Sequence, residues 1–410
     1  MEELVKVGQL CEISSSKRIF AKEYQESGIP FFRGKEVTEK FHGKLDVTTE
    51  LFISEDKYLE IESKFGVPKQ GDMLLTSIGT LGSTYIVKES DKFYFKDGNL
   101  TWFKNFKGLS SQYLQYWLES PEGKGQLRKS EIGSSQPAYT IANLKEMQIS
   151  LPSLDDQLNV ASYIRTYDSF IENNNRRIAI LEDMAQSLYR EWFVKFRYPS
   201  YGENLDVDGK PKLVESPLGQ IPEGWKIKSL GNLVELKRET IKKGNVPENT
   251  HYMGLEHFPR KSIALSDWED VSEIGSNKLA FTRGDILFGK IRPNFHKVGV
   301  AQVDGLCSSD TFILSPMKPA HHSLIAMVMF SNEFIAQAVQ TAQGSKMPRA
   351  SWDVLKDFSV CLPDSDALER FNNVVTPAIE QIRLLSLKNR NLKQQRDMLL
   401  PKLISGQIKI

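Results

Sequence analysis

The sequence has very little cysteine, no long hydrophobic run and no excess of either charge. Three cysteines, Cys11, Cys307 and Cys361, are scattered over 410 residues. Their number and spacing fit a reduced interior and predict neither a disulfide frame nor a zinc site. No stretch approaches the roughly 20 apolar residues that a membrane helix needs. The opening "MEELVKVGQL" is acidic and lacks the basic-then-apolar order of a signal peptide, so a cytoplasmic protein without membrane contact is expected. Lys and Arg number 53 against 52 Asp and Glu, for a net charge of +1. No segment is a polybasic tail, so any nucleic-acid surface must come from local placement of Lys and Arg.

Catalytic signatures are missing too. There is no GxxxxGK[ST] phosphate loop and no Gly-rich strand–turn–helix for a dinucleotide or S-adenosylmethionine. There is no Asn/Asp-Pro-Pro-aromatic element for methylating a base amine, no HExxH and no GxSxG. "PDSDALER" (Pro363–Arg370) resembles an acidic nuclease cluster but lacks a following Glu-x-Lys and reads better as a helix start. His321-His322 opens a helix-like segment. His251 and His257 have no Cys or carboxylate in ligand spacing, so surface or core roles are expected for them. No catalytic residue and no metal ligand is assigned.

What is present is a repeat. "GSSQPAYTIANLKEMQISLP" (Gly133–Pro152) returns as "GSKMPRASWDVLKDFSVCLP" (Gly344–Pro363), 344 − 133 = 211 residues later. Upstream, "KVGQLCEI" (Lys6–Ile13) pairs with "SLGNLVEL" (Ser229–Leu236), "FFRGKEV" (Phe31–Val37) loosely with "YMGLEHF" (Tyr252–Phe258), and "GDMLL" (Gly71–Leu75) with "GDILF" (Gly284–Phe288). The offset drifts, as insertions in loops would make it. Two copies of about 200 residues are too long for solenoid units. In each copy, short β-like runs broken by Gly and Pro alternate with amphipathic runs, "SSQYLQYWLES" and "SLIAMVMFSNEFIAQAV". Each half therefore begins with a loop-rich α+β domain. Between the halves, Phe196–Trp225 is rich in Pro, Gly and turn pairs and reads as a connector.

Each copy then runs into a helix. A short helix at about 155–165 is expected to precede a longer one at about 168–196. Residues three and four apart in the longer one are Ile171, Asn174, Ile178, Leu181, Ala185, Leu188 and Trp192, a heptad seam. The second copy gives Ile382, Leu385, Asn389, Leu392, Arg396, Leu399 and Leu403. Asn174 and Asn389 are either buried polar residues that fix register or residues at a wet edge. Arg396 marks an imperfect seam or one with a polar partner. Antiparallel pairing of the two helices would put the α+β domains at opposite ends of a stiff rod. About 29 residues at roughly 1.5 Å each span about 43 Å. Two readers on one face of B-DNA need about 34–36 Å, or a multiple. The expected fold class is thus α+β: two duplicated α+β domains separated by two long antiparallel coiled-coil helices, with pseudo-two-fold symmetry. The boundaries are 1–150 for the first domain, 151–198 for its helix, 199–225 for the connector, 226–361 for the second domain and 362–410 for its helix.

The order loop-rich domain, "GSxxP", "LPxLxxQ", "SLYREWFVKF", "PLGQIPEGW", then the same again, resembles the specificity (S) subunit of type I restriction–modification systems. The pairing of "LYREWFVKFRYP" (Leu188–Pro199) with "SPLGQIPEGWKIKSLGNL" (Ser216–Leu233) is highly specific, and "QQRDMLLPKLISGQIKI" (Gln394–Ile410) is also typical. The resemblance covers the whole chain. It implies that each α+β domain is a target-recognition domain reading one half of a split site in double-stranded DNA. It implies that the helices act as spacer and as dock for two modification (M) subunits, which flip out and methylate adenine with S-adenosylmethionine. Restriction (R) subunits would add translocation and cleavage driven by ATP with Mg. This chain itself would carry no cofactor. It departs from the pattern where "LPDSDALERF" lacks the Gln of "LPSLDDQLNV", which bears on M-subunit contacts at that end.

Base edges and phosphates are contacted by Arg, Lys, Asn, Gln, Ser, Thr and backbone N–H groups. The candidates in the first domain are Arg33 and Lys35 of "FRGKE", Thr76, Ser77 and Thr80 of "TSIGTLGST", and Ser134, Ser135, Gln136 and Tyr139 of "GSSQPAY". In the second they are Lys290, Arg292, Asn294 and Lys297 of "FGKIRPNFHK", and Ser345, Lys346 and Arg349 of "GSKMPRAS". The "GSxxP" loops can also be turns that merely feed the next strand. Trp192, Phe193 and Phe196 are read as packing residues, not base stackers. Two rival readings stay open here. A single-chain nuclease or methyltransferase would turn over substrate alone, and a coiled-coil scaffold for proteins would show no salt-dependent DNA affinity.

Overall fold

The computed structural model describes residues 4–43, 47, 49–199, 201–203, 205, 208–209 and 212–410; the rest, part of the connector included, lie outside the described residues. The chain divides into two compact units, Met1–Glu172 with Leu392–Ile410, and Asn173–Asn391. The architecture is α+β.

In the first unit, four antiparallel strands lie in the order Glu12–Ser14, Leu100–Lys104, Met73–Thr76, Thr84–Ile86. A smaller sheet has Ile29–Phe32 at its centre, antiparallel to Phe52–Ile53 and parallel to Tyr94–Phe95. Helices Ser111–Glu119 and Pro121–Lys129 cover the larger sheet. Both begin on a serine, Ser110 and Ser120, whose side chain accepts a free N–H of the first turn. Strand Leu4–Lys6 pairs with Gln148–Ser150 and closes the unit. Its core joins Val7, Met73, Leu75, Phe103, Tyr113, Leu114 and Trp117 to Ala161, Ile164, Leu400, Leu403 and Ile404 of the long helices.

The second unit repeats this plan with longer sheets. Val234–Lys237, Thr311–Pro316, Ile286–Gly289 and Val298–Ala301 follow one another in the same order, with Ala264–Leu265 added at the edge. Thr250–Met253 runs parallel to Gly305–Cys307, as Ile29–Phe32 does to Tyr94–Phe95. Lys226–Ser229 pairs with Ser359–Leu362 as the closing strands. The glycines of "VGQL" and "LGNL" mark close approaches in both copies. A Cβ on Gly8 would lie 2.7 Å from Lys145 Cβ, and one on Gly231 3.0 Å from Lys356 Cβ. The run "SLIAMVMFSNEFIAQAV" is two helices, His322–Met329 and Asn332–Gln340. Ser331 caps the second, its side chain accepting the Phe334 N–H. The first of these is buried on nearly every side, so it shows no solvent face to reveal its end.

The first long helix is continuous from Leu154 to Tyr189 and ends in one π turn, Arg190–Val194. The break expected near residues 166–168 is absent. Ile164 and Ile171 are both buried, and Arg165 reaches Glu172 at 2.8 Å across two turns. These contacts outweigh the weak helix propensity of Thr166, Tyr167 and Asp168. The second long helix spans Ser365–Ile404, with Asp364 Oδ1 accepting the Ala367 N–H at its start. Within each unit the two helices run antiparallel. In the first, Asp168 meets Arg396. In the second, Asn174 Nδ2 donates to Asn389 Oδ1 at 2.8 Å and Asn389 Nδ2 to Asn175 Oδ1 at 2.8 Å. Both seam asparagines are 5% exposed, so they form a buried pair and not a wet edge. Ile171, Ile178, Ile382 and Leu385 are buried, while Leu181, Leu188, Leu392 and Leu399 are half-buried.

Helix and domain are also joined by a carboxylate. Glu182 Oε1 accepts the Ser262 hydroxyl at 2.6 Å and the Ile263 N–H at 2.8 Å. Burial pushes this carboxyl up to about 7. The folded chain therefore binds its proton more tightly than the unfolded chain. The stability it adds is fully present below about pH 4.5 and is lost as pH rises through 7. Glu182→Gln keeps an acceptor and stays neutral. It should remove this slope and stabilise the chain by about 1–2 kcal/mol at pH 8, allowing for partial exposure. Urea unfolding at pH 5, 6 and 8 measures it; parallel curves for the two proteins would refute the assignment.

Candidate nucleic-acid interface

Three loops meet at one end of the main sheet in the first unit. The hairpin loop after Met73–Thr76 bonds to the "GSSQP" loop through an Ile78–Ala138 bridge and the Tyr139 N–H to Ser77 O, 3.0 Å. The "FRGKE" segment, where helix Gly34–Phe41 begins, lies against the same hairpin, and a Cβ on Gly34 would be 3.8 Å from Thr76 Cγ2. Three loops meet in the second unit in the same way. Ile291 bridges Arg349, the Arg292 N–H donates to Pro348 O at 2.8 Å and the Ala350 N–H to Lys290 O at 2.9 Å. A Cβ on Gly289 would be 3.0 Å from Leu255. The repeated "GSxxP" segments thus do more than feed a strand. Each forms one wall of a three-loop surface.

The candidate side chains fall into three groups. Lys35 is exposed in the first turn of helix Gly34–Phe41, Thr80, Ser134, Ser135, Gln136, Arg292, Asn294, Ser345 and Lys346 are exposed beside it or in the matching region of the second unit, and Tyr139 is half-buried. A second group is engaged within the protein. Arg33 pairs at 2.9 Å with the buried Glu36, which also accepts the Arg33 N–H. Arg349 lies 3.4 Å from Asp310. Lys290 Nζ donates to Ser309 O and sits 4.7 Å over the Phe312 ring, and burial lowers its pKa. Lys297 Nζ donates to Leu255 O. The third group departs from the expectation of a DNA contact. Thr76 and Ser77 are 0% and 1% exposed, and neither can reach a base edge in this conformation. Thr76 Oγ1 accepts the Ser83 N–H at 2.9 Å, and Ser77 Oγ lies 2.6 Å from Thr101 Oγ1. They shape the hairpin that carries Thr80.

Other placements depend on distant segments and have no signal in a local sequence pattern. Gln157 of "LPSLDDQLNV" is buried. It accepts the Ser110 N–H at 2.8 Å and donates to Gly108 O and Pro152 O, both at 3.0 Å. It is an internal clamp, and Leu368 occupies the corresponding place in the second copy as a core residue. Arg390 stacks on Trp268, 4.0 Å from the ring centroid, and donates to its carbonyl at 3.0 Å. His251 and His257 do have carboxylates nearby, Asp270 at 2.7 Å and Glu269 at 3.5 Å, brought by a neighbouring strand. His322 Nε2 lies 2.8 Å from Gly284 O. Burial pushes the thiols of Cys11, Cys307 and Cys361 up to about 12. Among the described residues no helix is long and apolar enough to cross a membrane.

Residues 2–183 match the family described as type I restriction modification DNA specificity domain. The type I restriction enzyme MjaIX specificity subunit of Methanocaldococcus jannaschii is 24% identical, over 95% of this chain and 89% of that protein. Over nearly its whole length the chain is thus similar to a type I specificity subunit, and its first 183 residues carry the family match. The MjaVIII specificity subunit of the same organism is 20% identical over 100% of this chain and 93% of its own. The crystal structure of a type I S subunit from M. genitalium covers 98% of this chain and 96% of its own. It has a TM-score of 0.59 at 13% identity, which places the fold.

Proposed function

We propose that this chain is a specificity subunit that supplies the address for a modification complex without catalysing a reaction itself, each α+β domain reading one half of a split DNA site. The observation that carries this reading is the duplicated three-loop surface, which presents polar and basic side chains at the same end of the same sheet in each unit. Exposed Thr80, Ser134, Ser135 and Gln136 in one unit, and Arg292, Asn294, Ser345 and Lys346 in the other, have the chemistry for base edges and phosphates. Residues 1–150 and 226–361 are the readers, 151–198 and 362–410 the spacer helices, and 199–225 the connector. The long helices dock two modification subunits. Those subunits hold S-adenosylmethionine and methylate a flipped adenine. Restriction subunits, where they join, bring ATP and Mg.

Replacing residues 1–150 with the matching segment of another specificity subunit should change one half of the methylated motif and leave the other intact. Single-molecule methylation sequencing of a host carrying this chain and its modification subunit reads the motif directly. A change in both halves would overturn the modular reading. An identical methylome with and without the chain would overturn the recognition role itself.

A further inference from the structure

One knuckle of the second unit gathers three left-handed residues. Lys261, Arg292 and His296 all have positive φ, at 55°, 49° and 52°. None is glycine, and such clusters persist only where surrounding contacts hold them. Here the inner side is fixed many times over. The Lys261 N–H donates to His296 O at 3.0 Å, the Arg292 N–H to Pro348 O at 2.8 Å and the Phe295 N–H to Arg292 O at 2.8 Å. The His296 ring is buried, 3.0 Å from Phe330 O through Nε2. The outer side carries Arg260, Lys261, Arg292 and Asn294, all exposed.

The Phe295 ring lies near two of these cations. The Arg260 guanidinium carbon is 3.9 Å from the ring centroid, and that of Arg292 is 5.8 Å away. Stacking fixes the guanidinium plane without using its N–H edge. Among the described residues, neither arginine has a carboxylate within ion-pair distance, whereas Arg349 is beside Asp310 and Arg383 on Glu380. Arg260 is therefore an oriented, unspent fork of donors next to the loops that carry Arg292 and Pro348.

We propose that Arg260 is a specificity-determining residue that reads a guanine through paired hydrogen bonds to O6 and N7, with Phe295 as its positioning residue. This rests on the DNA-reading role above. A planar fork matches the two acceptors of a guanine in the major groove, and a stacked side chain loses little further freedom on binding. Lysine at the same place keeps the charge and loses the fork.

The test uses the full chain in complex with its modification subunit, as wild type, Arg260→Lys and Phe295→Leu. Methylation rates are measured on duplexes with each base of the motif changed in turn. Arg260→Lys should cut discrimination at one G·C position of one half-site by roughly 5- to 150-fold and leave the other half-site unchanged. Phe295→Leu should give a smaller loss at that same position, with thermal unfolding of both variants close to wild type. Three results would overturn the inference: a half-site without a G·C pair, unchanged preference, or a uniform fall across all sequences with a shallower salt slope, the mark of a phosphate contact. A wild-type complex with no split motif would instead remove the underlying recognition role, and this inference with it.

Discussion

Arg396→Met should lower the unfolding temperature of the first unit by roughly 5–10 °C at neutral pH, a loss of about 2–3 kcal/mol. Arg396 occupies an apolar position of the helix seam, and its Nη1 donates to Asp168 Oδ1 at 2.8 Å. Asp168 also accepts the Tyr116 hydroxyl at 2.6 Å. Burial opposes the charge on Arg396, but Asp168, with help from Asp397, holds it firmly protonated. Burial pushes the neighbouring Glu119 carboxyl up to about 7, against the pull of Arg396. Removing the guanidinium strands both carboxyls, and that uncompensated charge is the main cost. The figure lies below the ~3–5 kcal/mol of a fully buried pair because 23% of the Arg396 side chain and 19% of Asp168 remain in contact with water. Neutralising the site as a whole, with Arg396→Met, Asp168→Asn and Glu119→Gln together, should recover more than half of the loss. Hydrogen exchange at residues 111–129 would follow the unit directly, since a two-unit chain need not melt in one step. Equal destabilisation by the single and triple changes would show that Arg396 acts through packing alone.

How far the sequence foretold these features depends on whether the cause is local. A seam residue with the wrong polarity is visible in a heptad count, so Arg396 announced either a flaw or a partner. The identity of that partner, Asp168, was not legible, because nothing near Arg396 specifies which residue of a helix more than 200 positions earlier will face it. The seam positions of Asn174 and Asn389 are legible for the same periodic reason, but periodicity leaves buried pair and wet edge equally open, and only their mutual contact decides between them. The α+β duplication is readable from the repeated segments, and in one pair of them Gly8 and Gly231 stand where the chain passes another segment too closely for a Cβ. The loop candidates fared unevenly. Polarity and loop composition selected them, but Thr76 and Ser77 sit at a strand end where a hydroxyl can turn inward to bond the hairpin. Arg260 has no local signal, because its stacking partner lies 35 residues away, in a loop whose left-handed residues are not glycines. Glu182 escaped for another reason. On a charged helix flank a single glutamate looks solvated, and only strand Ala264–Leu265 and its lead-in loop reveal it as an anchor.

Phe193→Ala should destabilise the second unit by about 3–5 kcal/mol and lower its unfolding temperature by roughly 10 °C, while leaving sequence preference in DNA untouched. Phe193 closes the π turn at the end of the first long helix and is 4% exposed. Its ring meets Phe371 of the second long helix edge-on at 4.8 Å and Trp225 of the connector at 5.5 Å. Trp225 in turn donates from Nε1 to Asp364 Oδ2 at 3.2 Å, and the other oxygen of Asp364 caps the second helix. Tyr198 packs on Trp225 at 4.9 Å and Phe196 turns the chain with φ of 58°. The stretch "REWFVKFRYP" and the tryptophan of "PEGW" are therefore the two sides of one aromatic corner, where a helix ends, a connector returns and a second helix begins. Such a corner demands several large rings at fixed separations, which explains why this pair of segments was the most specific resemblance in the sequence. A cavity of this size in a rigid corner does not collapse well, so the cost should fall at the high end for aromatic truncation. Phe193→Leu, which keeps most of the volume, should cost about half as much. A shift of the methylated motif in either variant, with stability unchanged, would mean that these rings contact DNA instead of holding the helices together.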